Sequence, residues 1–363
     1  MPFIDSIFVR QRGIVSKNKV RSPAKMRPIA IDLFSGCGGL TLGLKKAGFN
    51  VVAAVEIDPL ACSTYRRNHK SSFLFESDIR HLDPDAILRQ LGMQKEQIDL
   101  VAGCPPCQGF SSMRTKNGRH LIEEPMNDLV FEFVRIAVAI RPKAIMLENV
   151  PGLATDDRVE AVLQCFERAG YKCKLSVFNA ADFGAPQRRK RLILVAALGR
   201  EPALAVGKAR RRSVRGAIGR MPLTSDSLDP LHNYQVRHTD KVQRMIENIP
   251  KDGGSRSDLP IKLRLACHDI SDGFRDVYGR MSWKYPSPTI TGGCINPSKG
   301  RFIHPEHDRA ITLREAALLQ GFPTNYYFDI SRGRYATAQI IGNAFPPIFA
   351  QKHATALRKS LEL

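Results

Sequence analysis

The sequence predicts an α/β fold class: a doubly wound domain on a mostly parallel sheet, followed by a second, smaller domain of irregular make-up. Three observations carry this. From Pro28 to Leu198 short apolar runs alternate with amphipathic stretches, and strands separated by helices imply right-handed crossovers into one sheet. After Leu198 that rhythm is lost, and Gly, Pro, Ser and Arg dominate until about Pro288. The composition, 43% hydrophobic and 25% charged over 363 residues, belongs to a packed chain of one large domain or two.

Taken in order, Ile29 to Phe34 reads as a strand, Leu40 to Ala47 as a helix, Val51 to Val55 as a strand and Pro59 to Asn68 as a helix. Ser77-Asp78-Ile79 closes a third strand-like stretch, and Leu100 to Ala102 ends a further strand. Asn127 to Ile140 is a helix with Asn127 as its cap, Ala144 to Leu147 and Leu192 to Leu198 are strands, and Leu313 to Leu319 and Ala350 to Leu357 are helices. No internal repeat interrupts this order.

Fifty-five Lys and Arg against thirty-five Asp and Glu leave a net charge of +20, which suits a polyanionic partner because neutralised phosphates release their counterions. A basic enzyme with no such partner is the plain alternative. Between Arg188 and Arg220 eleven basic residues meet one acid, Glu201, which reads as a solvated loop or as a phosphate-tracking surface. The first 27 residues hold seven Lys or Arg and one acid, Asp5, without the apolar stretch of a secretory signal, and are expected to form a basic arm. No apolar run reaches the ~18 residues of a membrane span, so no membrane partner is expected. The cysteines at 37, 62, 104, 107, 165, 173, 267 and 294 are scattered and are expected to be reduced thiols in a cytoplasm.

The chemistry-bearing motifs fall at predicted strand ends, where open α/β sheets bind ligands. Asp32-Leu33-Phe34-Ser35-Gly36-Cys37-Gly38-Gly39 follows the first strand, and its glycines let backbone approach a ligand. A dinucleotide loop would want glycine at 41, where Thr41 stands, so a pyrophosphate cradle is disfavoured; a plain tight turn remains the alternative. Glu56 lies twenty residues after Gly36, where an acid accepts ribose hydroxyls, or simply opens a surface helix. Asp78 is placed to accept from an adenine amino group.

Gly103-Cys104-Pro105-Pro106-Cys107-Gln108-Gly109-Phe110-Ser111 presents a thiol on a proline-stiffened loop, as a nucleophile is held. Cys104 and Cys107 also form C-x-x-C; a redox pair stays open, whereas zinc would need a second pair and Cys165 and Cys173 are eight apart. A zinc deaminase, suggested by His304-Pro305-Glu306, would need its P-C-x-x-C downstream, and the C-x-x-C lies about two hundred residues upstream. Glu148, in Glu148-Asn149-Val150-Pro151, is a cleft acid or a structural cap. In Gln187-Arg188-Arg189-Lys190-Arg191 the alternate residues Gln187, Arg189 and Arg191 share one face.

The order DLFSGCGG, Glu56, SDI, GCPPCQGFS, LENV, QRRKR, LREAALLQGFP and IIGNAFPP resembles the DNA (cytosine-5) methyltransferases, over Ile29 to Pro347 apart from about Gly199 to Tyr285. That resemblance implies a Rossmann-like fold, S-adenosyl-L-methionine as methyl donor and no metal. Phe34, with the Ser35, Gly36, Gly38 and Gly39 loop, would pack on the donor's adenine side. Glu56 would hold the ribose, and Asp78, beside Ile79, the adenine amino group. Cys107 would be the nucleophile, with Pro106 beside it. Glu148 would contact the cytosine ring nitrogen and amino group, Arg189 and Arg191 would position Glu148 and the flipped nucleotide, and Asn343 would support the cleft. Two positions depart from the family: Cys104 stands where Gly is commoner, and Ile57 where an aromatic often stacks on adenine, implying a weaker grip.

The implied chemistry explains the residue types. Carbon 5 of cytosine is a poor nucleophile, so a thiolate must add at carbon 6 first. A protonated Glu148 would stabilise charge developing at the ring nitrogen. The cytosine must leave the stack, at a cost of a few kcal/mol, which phosphate contacts would offset. The expected layout is an arm (1–27), a catalytic donor-binding domain (28–198), a target-recognition domain (199–328) and a segment completing the catalytic domain (329–363). Double-stranded DNA is the expected partner of a monomer at the nucleoid, in a restriction-modification setting with a cognate endonuclease. A transfer-RNA-acting branch shares nearly all these motifs, but its typical Cys-Phe-Thr is not found in the variable region. An inactive DNA-binding relative is a further alternative, against which the intact Cys107, Glu148 and Arg189 speak.

Overall fold

The computed structural model describes residues 26–106, 129–234, 236, 238–264 and 276–363. The expected basic arm before residue 26, the Asn127 cap and Cys107 lie outside the described residues.

The sheet has seven strands: β1 (Ile29–Leu33), β2 (Asn50–Glu56), β3 (Phe73–Glu76), β4 (Leu100–Gly103), β5 (Ala144–Asn149), β6 (Tyr171–Asn179) and β7 (Lys190–Leu198), in spatial order β3-β2-β1-β4-β5-β7-β6. β1 pairs in parallel with β2 and β4, and β4 with β5, while β7 runs antiparallel to both β5 and β6. The mostly parallel sheet expected from the sequence is therefore present. Its strand order reverses at β1, the position at which neighbouring crossovers leave to opposite sides and open a crevice.

Period-two alternation explains the two faces. Ile31, Leu33, Val55, Val101 and Ile145 point to one side and pack with Phe133, Ile136 and Phe166 from α4 (Leu129–Ile140) and α5 (Asp157–Arg168). Ala30, Val51, Leu100 and Ala102 point to the other, against Leu40 and Leu44 of α1 (Gly39–Lys46) and Phe349, Ala350 and Leu357 of the last helix, Pro347–Ser360. The chain's end thus returns to the neighbourhood of the first strand. Two further helices, α2 (Pro59–Asn68) and α3 (Pro84–Leu91), begin on Asp58 and Asp83 caps followed by proline at the first helical position.

Several boundaries differ from the sequence expectation, and strand pairing is the reason. β7 begins at Lys190 rather than Leu192 because Lys190 and Arg191 pair with Asn179 and Phe178. β5 runs on to Asn149 because Glu148 and Asn149 pair with Ile193 and Leu192.

Beyond β7 come α6 (Val214–Ile218) and α7 (Asp240–Asn248), followed by α8 (Leu313–Gln320), α9 (Arg334–Asn343) and α10, the Pro347–Ser360 helix already met. Val214, Ile218, Trp283, Ile290, Phe302 and Leu313 share one apolar cluster with Cys37 of the glycine loop and Ile341 of α9. No helix among the described residues is long and apolar enough to cross a membrane.

Candidate active site

A cavity of about 460 Å³ opens at the carboxyl ends of β1 to β4. Phe34, Ser35 and Gly36 wall it from β1, Glu56 and Ile57 from β2, Asp78 and Ile79 after β3, and Cys104 and Pro106 after β4. Asn343 faces it from α9. The backbone turns sharply as it leaves β1: Phe34 has φ 59°, in the left-handed region that residues with a side chain rarely enter, and Gly36 has φ 53°. Gly38 and Gly39 do not line the cavity. A Cβ on Gly38 would meet the His69 ring at 2.4 Å, and one on Gly39 the Phe345 carbonyl at 2.4 Å, so both are required by packing.

Glu56 is held from three sides: Oε2 accepts from Gly36 N at 2.7 Å, and Oε1 from the N–H groups of Ile57 and Asp58, each at 2.9 Å. Burial pushes its carboxyl above the usual carboxylate range, against the pull of these donors. Asp78 is instead bound up by Arg80, whose Nε lies 3.0 Å from both carboxylate oxygens, and this pairing holds it down to about 2. Ile57 is 62% exposed at the mouth, presenting an aliphatic surface there.

Behind the cavity, Asp32 is fully buried and accepts from Thr41 Oγ1 at 2.5 Å, while Thr41 also shares a 3.0 Å hydrogen bond with the Tyr65 hydroxyl. Thr41, which broke the dinucleotide spacing, is thus the partner of the motif's first residue. Burial raises the Asp32 carboxyl to about 7.

Next to the cavity lies a second polar group. Glu148, 8% exposed, receives Arg191 Nε on Oε1 at 2.8 Å. Arg189 does not make this contact: its Nη1 donates to the carbonyls of Ile290 at 2.9 Å and Gly342 at 3.0 Å, and burial lowers its guanidinium to about 9. The alternation read from the sequence holds, with Gln187 and Arg189 buried and Arg188 and Lys190 exposed. Asn149 Nδ2 donates to the Pro105 carbonyl at 3.2 Å and ties the proline loop to the end of β5. Cys104 borders the cavity close to Glu148; burial, then the Glu148 charge, pushes its thiol well above the usual value, that of an inert thiol.

Sequence reasoning missed one wall. Arg332, Ala336, Gln339 and Ile340 line the cavity with Asn343. Arg332 precedes α9 (Arg334–Asn343), and Gln339, Ile340 and Asn343, three, four and seven residues after Ala336, share one helical face with it, a signal present in the sequence and ending on the Asn343 already singled out. Gln320 was also missed as a site-building residue: its Nε2 donates to the carbonyls of Ile341 at 2.7 Å and of Gly342 and Ala344 at 3.2 Å, bracketing Asn343.

The cavity suits S-adenosylmethionine. A carboxylate, an aromatic ring and a buried Ser35 Oγ with no partner among the described residues offer acceptor, stacking surface and a further polar contact. Among the described residues no group of three or more His, Cys, Asp or Glu is arranged to hold a metal ion.

A Rossmann-like sheet with such a cavity beside a buried Glu–Arg pair defines an S-adenosylmethionine-dependent methyltransferase. The chain belongs to the C-5 cytosine-specific DNA methylase family, whose model matches residues 29–359. It is therefore a DNA (cytosine-5-)-methyltransferase. It is 38% identical to the Type II methyltransferase M1.HphI of Haemophilus parahaemolyticus over 91% of this chain and 86% of that protein. It is 36% identical to the Type II methylase M.HgiDII of Herpetosiphon aurantiacus over 92% of this chain and 95% of that one. Among solved structures, a prophage-encoded DNA modification methyltransferase from E. coli superposes with a TM-score of 0.68 at 26% identity, covering 93% of this chain and all of that one.

Proposed function

We propose that this chain methylates carbon 5 of one cytosine, turned out of a specific duplex DNA sequence, with Cys107 as nucleophile and Glu148 as the acid at the cytosine ring nitrogen. The observation that supports the reading best is the Asn149–Pro105 hydrogen bond, which ties Pro105, two residues before Cys107 in the sequence, to the neighbour of Glu148, while Pro106 lines the cavity.

The Cys107 thiolate bonds to carbon 6, and the electron pair moves onto carbon 5 while Glu148 supplies a proton to the ring nitrogen. The bound donor supplies an electrophilic methyl group on a positively charged sulfur. Loss of the carbon 5 proton to a base, expulsion of the Cys107 thiolate and return of the ring-nitrogen proton to Glu148 then restore the aromatic ring. Arg191 orients Glu148 through its 2.8 Å contact, and Arg189 braces the turn before Asn343. Glu56 would hold the donor's ribose, Asp78, beside Ile79, its adenine amino group, Phe34 and Ile57 would cover the adenine, and Asn343 would close the cleft.

Residues 199–328 form the DNA-reading part in this proposal, and 329–363 complete the catalytic domain. In this proposal the activity serves restriction-modification, a reading the names of the Type II relatives support, and the chain works as a monomer on the nucleoid in the cytoplasm beside a cognate endonuclease. Labelled S-adenosylmethionine supplied with duplex DNA and, in parallel, transfer RNA tests the reading: label in DNA alone supports it, and label in RNA alone overturns it. Bisulfite mapping of a host genome that expresses the chain then identifies the target sequence.

A further inference from the structure

The cavity follows the sheet edge from the ends of β3 and β2 to the end of β4. In the proposed reaction the methyl group leaves at the β4 end, where Pro106 leads to Cys107, so the donor's adenosine takes the β2–β3 end with Glu56 and Asp78. Two cations line the cavity among the described residues, Arg80 and Arg332. Arg80 is already engaged, its Nε lying 3.0 Å from both carboxylate oxygens of Asp78. Arg332 is held far more loosely: its Nη1 reaches Asp58 Oδ2 at 4.0 Å, the outer limit of an ion pair, and both side chains are exposed. Such a pair in water contributes little, so the guanidinium can turn to a better partner.

The backbone that carries Arg332 is, by contrast, well fastened. Asp329 N donates to Thr64 Oγ1 of α2 at 3.0 Å, and Thr337 Oγ1 of α9 donates to the Asp329 carbonyl at 2.9 Å. Ser331 N closes on Asp329 Oδ1 at 2.8 Å and Gly333 N on the Ile330 carbonyl at 2.9 Å. The turn is thereby strapped between α2 and α9, and it holds Arg332 near Asp58, the residue after Ile57. A purine has two faces to shield from water. Phe34 offers a ring to one, whereas Ile57 is aliphatic and leaves its end of the cavity open. A guanidinium is planar, weakly hydrated and stacks on aromatic rings and nucleobases, so a loosely paired one on a fixed turn suits that open side.

We propose that Arg332 lays its guanidinium over the exposed face of the donor's adenine and completes, with Phe34 and Ile57, the adenosine end of the cavity. This deepens the donor-binding reading of the site and rests on it. Arg332 touches the donor and not the cytosine, so it sets affinity for S-adenosylmethionine and its demethylated product and leaves duplex binding alone.

Calorimetric titration of the wild-type chain, Arg332→Ala and Arg332→Lys with S-adenosylhomocysteine tests this. The dissociation constant of Arg332→Ala rises roughly 3- to 30-fold, and Arg332→Lys, which keeps the charge without the plane, recovers only part of that loss. Unchanged affinity in Arg332→Ala, or full recovery by Arg332→Lys, overturns the proposal. Methylthioadenosine, which lacks the amino-acid end, is expected to lose the same factor; a loss confined to S-adenosylhomocysteine would put Arg332 on the donor's carboxylate instead and also overturns it. Duplex affinity, read by fluorescence anisotropy, stays at the wild-type value, and a fall there with donor affinity intact assigns Arg332 to a phosphate, against the proposal. Arg332 projects into solvent, so neither substitution is expected to disturb folding; should Arg332→Ala melt early, the partial loss in Arg332→Lys decides. A wild-type chain that does not bind S-adenosylhomocysteine removes the donor-site reading itself, whereas binding that the substitutions leave unaltered removes only the role of Arg332.

Discussion

Arg191 reaches Glu148 across the β5–β7 pairing, Nε to Oε1 at 2.8 Å, while Arg189, two residues earlier on the same face, reaches instead to the Gly342 carbonyl. One short strand start thus serves two structures, the acid of the base pocket and the turn that carries Asn343. The two arginines have separable effects.

Replacing Glu148 by Gln removes the ionisable proton and lowers methyl transfer by about 10²–10⁴-fold. Arg191→Ala leaves a buried carboxylate without its partner and also lowers turnover, whereas Arg191→Lys, with one point charge in place of the fork, recovers part of it. Single-turnover transfer of labelled methyl measures all three. Full turnover by Glu148→Gln would remove Glu148 from the mechanism.

Cys107→Ser abolishes methylation while duplex binding persists. Incubation with 5-fluorocytosine DNA and the methyl donor gives a covalent adduct with the wild-type chain and none with the variant, read on a denaturing gel. An adduct formed by the variant contradicts the assignment.

Glu56→Ala leaves three backbone N–H groups without their acceptor and takes a carboxylate from the cavity wall. The dissociation constant for S-adenosylhomocysteine rises on the order of 10- to 100-fold, at 1.4 kcal/mol per tenfold. Calorimetric titration checks it, and an unchanged affinity would exclude Glu56 from donor binding.

Gln320→Leu releases the three carbonyls around Asn343 from their shared donor. The expected signature is a raised KM for the methyl donor with a smaller change in KM for DNA, since the carbonyls that Gln320 holds belong to the cavity wall beside Asn343. Equal changes in both would assign Gln320 to general stability.

His353 is fully buried among Phe178, Phe183 and Phe349, and neither ring nitrogen has a partner among the described residues. Burial lowers its pKa from 6.5 to about 3. The unfolded chain therefore binds an extra proton between pH 6.5 and 3, and stability falls as pH drops through that window. His353→Leu relieves an unpaired polar ring, stabilises by about 1–3 kcal/mol and flattens the loss of Tm between pH 7 and pH 5. Thermal melts at the two pH values decide, and an equally steep loss in the variant would place the acid sensitivity elsewhere, in His69 or His304.

Much of the site was legible because its pieces are local. The glycine loop, Glu56, Asp78, the proline loop, Glu148 and Asn343 each sit within a few residues of a strand or helix end, and the polarity pattern marks those ends. The strand limits were less legible. Lys190 and Arg191 look like loop residues by hydrophobicity, and only pairing with β6 makes them strand. The wall formed by Arg332, Gln339 and Ile340 was hidden for another reason: a helical face can be read from spacing, but not what it faces.

The amino-acid order alone marked six of the seven strands, several of the helices between them and the chemistry available at the sheet's edge, because backbone preference and side-chain periodicity act over a few neighbours; β6, the antiparallel edge strand, came only from its pairing with β7. Tertiary structure decided which of two similar arginines meets Glu148, why Thr41 belongs beside Asp32, and that Gln320 and Arg189 converge on the turn before Asn343. Arg189 and Gly342 are 153 positions apart in the chain. Contacts over such separations arise only when crossovers and the returning C-terminal helices bring distant segments to one edge, where burial forces every polar group to find its partner.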